Sequence, residues 1–352
     1  MENSLLMRAI RRETTPRPPV WLMRQAGRYM AEYREVRRRT PFLELCRSPV
    51  LAAEVMVTAV DRIGVDAAIL FADLLPMLQP MGLSLEYVSG DGPRLDPPVR
   101  EAADVDRIRS LDERSIHELG FVFEAVRLTR IGLDSLGRGP IPLIGFAGAP
   151  FTLASYAIEG GGSRNFAATK RLMRSDPGMW NELLGKIAES VVHYLNGQID
   201  AGAQIVQLFD SWVGALSPDD YRTFVFPHLR TVFAGIRPTA PVIYFAAGNP
   251  SLLPTVRELC PLRSAPLGVG IDWRVPLAEV AAILGPDVAI QGNLDPTVLL
   301  APEKVVRHET RRLVDTMTGR LGYIFNLGHG ILPETPLKSV IACVDEVKNR
   351  GN

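Results

Sequence analysis

Eight short apolar segments of strand length recur along the chain, and longer segments separate them. The eight segments span residues 20–23, 67–71, 141–146, 205–209, 242–245, 267–271, 288–291 and 323–327. The stretches between them are long enough for crossover helices, which parallel strands require. Examples are residues 49–63, 177–201, 218–234, 276–284 and 302–317, and several of these begin with a proline, which suits a first helical turn.

This alternation predicts an α/β protein folded as a single (β/α)8 TIM barrel, with one domain over residues 1–352. A chain of this length exceeds the usual size of one domain, but such barrels reach it. No internal repeat, low-complexity segment or linker divides the sequence. Residues 83–99 carry the turn sequence Gly90-Asp91-Gly92-Pro93, which predicts an inserted hairpin after the second strand.

Composition and motifs argue against several functions. The 39 basic and 39 acidic residues cancel, so overall charge favours neither nucleic acid nor an anionic membrane as a partner. The 3 cysteines are far apart and no HExxH or CxxC motif occurs, so we expect no disulfide framework and no metal site. No segment approaches the ~20 apolar residues of a membrane span, and the first residues lack a signal-peptide core, so we expect a cytoplasmic protein.

Polar residues and glycines directly follow the predicted strands. In a barrel the carboxyl ends of the strands meet at one face, and that face carries the active site. The residues at these positions are Arg24, Asp73, Gly148, Asp210, Ser211, Gly248, Asn249, Asp272, Gly292, Asn293 and His329. Capping of the following helix is an alternative explanation, and it suits Asp272 and Asn293 better than Arg24, Asp73 or His329.

An arginine-rich segment follows the first strand. Arg24 and Arg28 are four residues apart, and like charges at that spacing on a helix repel each other. An anionic ligand would offset this repulsion, and guanidinium groups bind carboxylates in a bidentate manner. A solvated basic helix face is the alternative, which explains the run that begins at Arg37 more readily than it explains Arg24.

A single carboxylate, Asp73, lies within the apolar sequence 70–76. A buried charge is costly without a partner, so Asp73 either pairs with a structural arginine or meets a cationic or N–H-rich ligand. Phe146 and Phe209, at the ends of neighbouring strands, either form an apolar wall for a flat ligand or fill the barrel core. His329 is the one histidine in a glycine-flanked loop at a strand end.

The sequence as a whole resembles the uroporphyrinogen decarboxylase family. The matching blocks are PVWLMRQAGRYMAEYREVR, ILFADLL, GFAGAPFTLASYAIEGGGS, QLFDSW, QGNLDP and FNLGHGILPETP, in the order that the family has them. The family consists of cytoplasmic, cofactor-free and usually homodimeric barrel enzymes of tetrapyrrole biosynthesis. They convert uroporphyrinogen III to coproporphyrinogen III by decarboxylating four acetate side chains.

The resemblance also implies roles for individual residues. Arg24 and Arg28 would bind substrate carboxylates, with Arg37 at the periphery, and Asp73 would accept hydrogen bonds from pyrrole N–H groups. The other implied substrate contacts are Gln25, Ala26, Gly27, Phe146, Tyr156, Phe209, Ser211 and His329. Asp210, which precedes the serine, has no implied role.

The chemistry that the resemblance implies needs no cofactor. A protonated pyrrole is an electron sink for the loss of CO2, and a fixed carboxylate such as Asp73 stabilises the cation that forms. The proton donor stays open, because an arginine is a poor acid. Two other functions remain open, a corrinoid-linked methyltransferase of the same barrel superfamily and a tetrapyrrole-binding protein without catalysis.

Overall fold

A parallel sheet forms the centre of the molecule in a computed structural model that describes residues 1–88, 90, 92–262 and 264–351. Its seven strands are hydrogen-bonded in the order β1-β4-β5-β6-β7-β8-β9, and β2 and β3 form a separate antiparallel pair. The strands are β1 (Ala68–Ile69), β2 (Ser84–Val88), β3 (Gly92–Asp96), β4 (Leu143–Gly148), β5 (Ile205–Asp210), β6 (Val242–Ala246), β7 (Leu267–Gly270), β8 (Ala289–Leu294) and β9 (Tyr323–Leu327). Seven of the eight predicted strands are therefore present, with ends displaced by a few residues.

The predicted first strand at residues 20–23 is wrong as a regular strand. Val20 forms an isolated parallel bridge with Phe325 of β9, and the backbone N–H of Phe325 donates to the Pro19 carbonyl at 2.9 Å. On the other side, the N–H of Asp66 donates to the Val20 carbonyl at 2.8 Å. Pro19 has no N–H, so it cannot form a full ladder. This segment still joins β9 to the region before β1, so the barrel is confirmed with its eighth position reduced to a bridge.

Helices connect the strands and cover the outside of the sheet. The α-helical segments of the described residues are α1 (Leu5–Ile10), α2 (Ala31–Arg39), α3 (Phe42–Arg47), α4 (Pro49–Ile63), α5 (Ala102–Arg107), α6 (Gly120–Ser135), α7 (Pro150–Glu159), α8 (Ala167–Ser175), α9 (Pro177–Asp200), α10 (Pro218–Asp220), α11 (Phe226–Gly235), α12 (Leu253–Arg257), α13 (Leu277–Leu284), α14 (Glu303–Thr316) and α15 (Leu337–Lys348). Short 3-10 segments span Pro76–Leu78, Ser115–Leu119, Val213–Ala215, Pro250–Leu252, Cys260–Leu262, Pro296–Leu300 and Asn349–Gly351. The helix predicted at 218–234 is divided, because a π-helical turn over Tyr221–Val225 separates α10 from α11.

Local signals explain why the helices start and stop where they do. Ser48 caps α4 by accepting the N–H of Leu51, and Pro49 occupies the first helical turn. Gly64 ends the helix with φ of 71°, a left-handed conformation that glycine adopts without steric cost. None of the helices in the described ranges has both the length and the apolar content to cross a lipid bilayer.

The strands β2 and β3 pair in antiparallel register within the segment predicted as a hairpin. Two residues of its tip, Ser89 and Asp91, lie outside the described residues, so the predicted turn at Asp91 is not described. The hairpin is attached to α7, because the N–H of Leu95 donates to the Gly160 carbonyl at 3.0 Å and that of Val99 to the Ala157 carbonyl at 2.9 Å. A hydrogen bond from the Tyr87 hydroxyl of β2 to Asp73, which follows β1, places the hairpin beside the carboxyl end of β1.

A chain of hydrogen-bonded polar side chains lies within the buried interior of the barrel. The indole N–H of Trp21 donates to Oε1 of Gln291 at 2.9 Å, and Nε2 of Gln291 donates to Oε1 of Gln207 at 3.1 Å. All three side chains are buried. Buried amides need such partners, so this chain fixes the mutual orientation of the segment at Trp21, β5 and β8.

Candidate functional site

Arg24 begins the site at the point where the first barrel segment ends. Its φ of 61° is unusual for a residue other than glycine, and it turns the chain out of the sheet. The side chain is exposed and lies against the backbone of Gly330, in the loop after β9. In the described part of the chain, Arg24 forms no salt bridge. Its charge is therefore available to an anion.

Gln25 and Ala26 are buried and point away from solvent. The amide of Gln25 accepts from the backbone N–H of Leu22 and donates to the Ala67 carbonyl, both at 3.3 Å. Its own backbone carbonyl accepts the Tyr29 hydroxyl at 2.5 Å. The side chain of Gln25 thus holds the turn after Arg24 against the core.

The arginines after this turn differ in their surroundings. Arg28 is exposed, and the described residues include no carboxylate paired with it. Arg37 is half-buried, with its guanidinium 5.7 Å from the centre of the Phe42 ring and a hydrogen bond to the Thr40 carbonyl. Burial raises the pKa of the Tyr33 hydroxyl between them, while the charges of Arg37 and Arg28 lower it. Arg28 is accordingly the freer of the two cations.

Asp73 lies just beyond β1 and has two hydrogen-bond donors. Its Oδ1 accepts the backbone N–H of Leu75 at 2.9 Å, and its Oδ2 accepts the hydroxyl of Tyr87 at 2.7 Å. Burial raises the pKa of Asp73, while these hydrogen bonds and the positive charge of Arg24 lower it. Among the described residues Asp73 belongs to no salt bridge, so the alternative of a structural ion pair does not hold.

Tyr156 on α7 lies close enough to both charged groups to respond to them. Burial and the charge of Asp73 together raise the pKa of Tyr156 to about 12, although the charge of Arg24 lowers it. Its ring stacks on Trp212 with 3.8 Å between the centroids. Ser211, directly before Trp212, is half-buried. The structure thus brings Arg24, Asp73 and Tyr156 together at one end of the barrel.

Phe146 and Phe209 stand next to each other at the ends of β4 and β5. Their ring centroids are 5.6 Å apart in an edge-to-face arrangement, and Phe209 continues the row to Phe245 at 5.8 Å. Phe146 is buried, whereas Phe209 is only half-buried. Both the amide N–H and the carbonyl of Phe146 bond to the side chain of Gln198, which fixes that strand end. Phe209 therefore offers the more accessible ring face.

His329 is exposed in the loop after β9 and directly precedes Gly330, against which the Arg24 side chain lies. Partial dehydration lowers the pKa of His329, the charges of Arg24 and Arg274 lower it further, and that of Asp272 raises it. Arg274 pairs with Asp272 at 2.5 Å and stacks on the Trp273 ring at 4.5 Å. The imidazole is therefore neutral at neutral pH and can donate one N–H.

Asp210, expected on the rim, is instead fully buried. The hydroxyl of Thr152 donates to its Oδ1 at 2.7 Å, and that of Tyr244 donates to its Oδ2 at 2.8 Å. Burial raises the pKa of Asp210 to about 6, although both hydrogen bonds lower it. Its place is inside the barrel wall, where it ties α7 and β6 to β5.

The helix caps expected at two other strand ends are also wrong. Asp272 accepts the N–H of Gly248 at 2.6 Å and that of Arg274 at 2.9 Å. Asn293 belongs to β8, and its amide donates to the Asp272 carbonyl at 2.8 Å. Both side chains join neighbouring strand-end loops to each other.

Three residues of the site were missed by reasoning from strand ends. Tyr87 comes from the hairpin, and its contact with Asp73 depends on how the hairpin folds back. Trp212 lies one residue after Ser211, and Arg274 lies two residues after Asp272. The sequence signal for them was an aromatic or basic side chain within two residues of a polar strand-end residue. In the ranges that the structure describes, no cluster of three His, Cys, Asp or Glu side chains is arranged to hold a metal ion.

Comparison with known proteins shows sequence similarity over nearly the whole chain. The profile of the family described as uroporphyrinogen decarboxylase (URO-D) matches residues 1–350. The uroporphyrinogen decarboxylase of Sorangium cellulosum is 50% identical over 342 residues, covering 97% of this chain and 95% of that protein. The one from Thermus thermophilus is 46% identical over 347 residues, with 98% of both proteins covered.

Among solved structures, a methyltransferase from Methanosarcina mazei has a similar fold. The TM-score is 0.80 with 98% of each chain covered, at 18% identity, so this likeness concerns the fold alone. The family profile and the relatives, in contrast, match in sequence over nearly the whole chain. The chain therefore belongs to the uroporphyrinogen decarboxylase family.

Proposed function

We propose that this protein converts uroporphyrinogen III to coproporphyrinogen III by decarboxylating its four acetate side chains. Membership of the family over residues 1–350 supports the activity. The observation that carries the proposal is the position of Asp73, whose pKa the charge of Arg24 lowers, while neither side chain forms an ion pair within the described residues. Such a pair of opposite charges suits a ligand with acidic arms and an N–H-rich centre.

Arg24 and Arg28 bind carboxylates of the substrate in this proposal. Each guanidinium is exposed and presents a planar set of donors that matches a carboxylate in a bidentate manner. Arg37 makes a peripheral contribution, because the Thr40 carbonyl and the Phe42 ring already engage it. Gln25, Ala26 and Gly27 contact the substrate through their backbone, since the Gln25 and Ala26 side chains are buried.

Neutral donors complete the binding of the acidic arms. Tyr156 keeps its proton, because its pKa is raised to about 12, and its hydroxyl can donate to a carboxylate. His329 donates a ring N–H from its neutral form, and Ser211 donates its hydroxyl. The rings of Phe146 and Phe209 face the macrocycle, with Phe209 the more exposed of the two.

Asp73 stabilises the positive charge that develops during the reaction. Protonation of a pyrrole ring carbon makes the ring an iminium-like cation, which accepts the electron pair released when the acetate C–C bond breaks and CO2 leaves. The exocyclic carbon then takes up a proton to become a methyl group, and the ring loses its extra proton. The net change per arm is the uptake of one proton and the release of one CO2. A carboxylate facing the pyrrole N–H groups bonds more strongly to the cation than to the neutral ring, so it lowers the barrier.

We also propose that the protein acts in the cytoplasm as a homodimer and without a cofactor, as is usual in its family. Size-exclusion chromatography with light scattering measures the mass in solution. A mass of one chain at micromolar concentration would contradict the dimer, without affecting the proposed chemistry.

The deciding experiment is the turnover of uroporphyrinogen III by the purified protein under anaerobic conditions. Oxidation and chromatographic separation of the products should show partly decarboxylated species, followed by coproporphyrin. Boiled enzyme controls for spontaneous decarboxylation. Tight binding of uroporphyrinogen without product would contradict the proposal and indicate a tetrapyrrole-binding protein instead.

A further inference from the structure

We infer that Tyr87, which the inserted hairpin carries, is a positioning residue that fixes the Asp73 carboxylate for the substrate N–H groups. The inference rests on the function proposed above for Asp73. Tyr87 acts through Asp73 and needs no contact with the substrate. The hairpin therefore contributes to catalysis by holding the Asp73 carboxylate in position.

The hydrogen bonds of Asp73 are arranged so that its carboxylate is fixed and still able to accept. Leu75 donates to Oδ1 at 2.9 Å and Tyr87 donates to Oδ2 at 2.7 Å. Each carboxylate oxygen has about two acceptor sites, so one bond to each oxygen leaves capacity for pyrrole N–H groups. The hydrogen bond from Tyr87 prevents rotation of the Asp73 carboxylate. Without this bond, ordering the carboxylate would cost conformational entropy when substrate binds.

The hairpin itself is held well enough to position a side chain. Two backbone hydrogen bonds attach its second strand and the residues after it to the end of α7, through Leu95 and Val99. The Tyr87 ring also packs edge-on against Phe42, with 5.1 Å between the centroids. The ring is therefore constrained from the side of α3 while its hydroxyl reaches Asp73.

Tyr87 also influences the ionisation of Asp73. The titratable and charged side chains whose electrostatic interaction reaches Asp73 come from several elements, namely Arg24, Cys46, Tyr87, Tyr156 and Tyr194. Burial raises the pKa of Asp73, and the Tyr87 hydrogen bond counteracts that rise. Burial raises the pKa of Tyr87 as well, so its hydroxyl stays protonated and donates throughout the working pH range.

The test compares Tyr87→Phe with wild type and with Glu86→Gln. Phenylalanine keeps the ring that packs on Phe42 and removes only the hydroxyl, whereas Glu86 is exposed on the same strand, opposite Arg94. We expect Tyr87→Phe to lower kcat about tenfold with little change in KM, the scale of one hydrogen bond to a charged group. Glu86→Gln should match wild type.

The pH profile separates positioning from a general structural effect. Without the hydroxyl, the pKa of Asp73 rises, so the acidic limb of kcat/KM should move to higher pH in Tyr87→Phe and stay in place in Glu86→Gln. In an Asp73→Asn background, the substitution of Tyr87 should have no further effect on kcat. An unchanged kcat and acidic limb, or an undiminished effect in that background, would overturn the inference.

Failure of the proposed function would look different from failure of this inference. If wild type lacks turnover, the function fails, and the Tyr87–Asp73 contact is then measured by a double-mutant cycle on the free energy of unfolding. Coupling in that cycle would uphold the positioning of Asp73 by Tyr87, and additivity would overturn it. If wild type is active and Tyr87→Phe behaves identically, the function stands and the inference alone is wrong.

Discussion

The side chain of Arg24 lies directly on the backbone of Gly330. A Cβ atom at position 330 would stand 2.3 Å from Cδ and 2.6 Å from Cγ of Arg24, closer than any two such atoms can approach. On the other side of His329, a Cβ atom at Gly328 would stand 2.5 Å from the backbone nitrogen of Trp273. Gly328 is thus required by close packing against backbone, whereas Gly330 makes room for the side chain of the arginine proposed to bind substrate.

Gly330→Ala should therefore weaken substrate binding more than it weakens folding. The added methyl group collides with a flexible, exposed side chain, which can move at little cost, but only by displacing its guanidinium. We expect KM to rise about tenfold, the scale of one charge-assisted hydrogen bond, with a nearly unchanged thermal midpoint. Steady-state kinetics and thermal unfolding of the same preparation measure both quantities.

Gly185→Ala is the matched control, because a Cβ atom there would meet no atom within 4 Å and the residue lies within α9. Alanine favours a helix by up to about 1 kcal/mol over glycine, so this variant should unfold at a slightly higher temperature and retain wild-type kinetics. A Gly330→Ala enzyme with wild-type KM would contradict the placement of Arg24 in the binding site.

Lysine at position 24 or 28 should bind substrate less well than arginine. Lysine preserves the positive charge but lacks the planar donor set that engages both oxygens of a carboxylate. We expect KM to rise in each variant, and more in Arg24→Lys, because Arg24 is the arginine whose charge reaches Asp73, Tyr156 and His329. Wild-type kcat and KM in both variants would show that these arginines are ordinary surface residues.

Asp210 should make the folded state less stable as pH rises, which is the opposite of the usual effect of a carboxyl group. Its pKa rises from 3.8 to about 6 on folding, so the folded state holds the proton more tightly than the unfolded chain. The stabilisation is complete below the unfolded pKa and is lost as pH rises through about 6. A difference of about two pKa units corresponds to roughly 3 kcal/mol.

Comparison of wild type with Asp210→Asn isolates this contribution from that of all other groups. The free energy of unfolding of wild type, relative to the variant, should fall between pH 4 and 7 by roughly that amount. Denaturant unfolding at several pH values gives the difference. Parallel curves for the two proteins would mean that Asp210 stays ionised in the fold.

The barrel was predictable because its signal is repeated along the chain. Strand segments such as 205–209 and 323–327 are apolar and bounded by helices, so each supports the others. Residues 20–23 share that composition, but Pro19 cannot donate a hydrogen bond and Arg24 turns the chain away, which leaves a single bridge. Composition alone does not reveal how many backbone N–H and C=O groups of a segment form hydrogen bonds with a neighbouring strand.

The positions of Arg24, Asp73 and His329 were predictable, because each residue follows an apolar strand segment, and their roles in the site stay predictions. Positions that depend on burial were not predictable. Asp210 also follows an apolar run, but it faces Thr152 and Tyr244 inside the wall. Gln25 stands between two exposed arginines in sequence, but its amide bonds to the Ala67 carbonyl in the core. Both outcomes depend on contacts between residues far apart in the chain.

Activity should survive extensive dialysis against EDTA. The chemistry proposed here uses the pyrrole itself as the electron sink and Asp73 as the charge stabiliser, so no step is assigned to a metal. Turnover of uroporphyrinogen before and after dialysis is the measurement, with a zinc enzyme dialysed in parallel as the control. Loss of activity that only added zinc restores would contradict the proposal and favour chemistry of the methyltransferase type.

The central claim is that Asp73 stabilises charge that forms only during the reaction. Asp73→Asn keeps the size and one acceptor oxygen of the side chain but removes its charge and introduces N–H donors. The loss of one preorganised electrostatic stabiliser typically lowers kcat by about 10²–10³, or roughly 2.7–4 kcal/mol. The stability of the ligand-free protein should change little, because the backbone N–H of Leu75 and the hydroxyl of Tyr87 remain close to the side chain.

The most direct measurement is kcat of Asp73→Asn per folded molecule, with the thermal midpoint of the same sample recorded beside that of wild type. A fall in kcat of about 10²–10³ at an intact midpoint is the result that the proposed mechanism predicts. An Asp73→Asn enzyme that is folded and turns over uroporphyrinogen at the wild-type rate would contradict it.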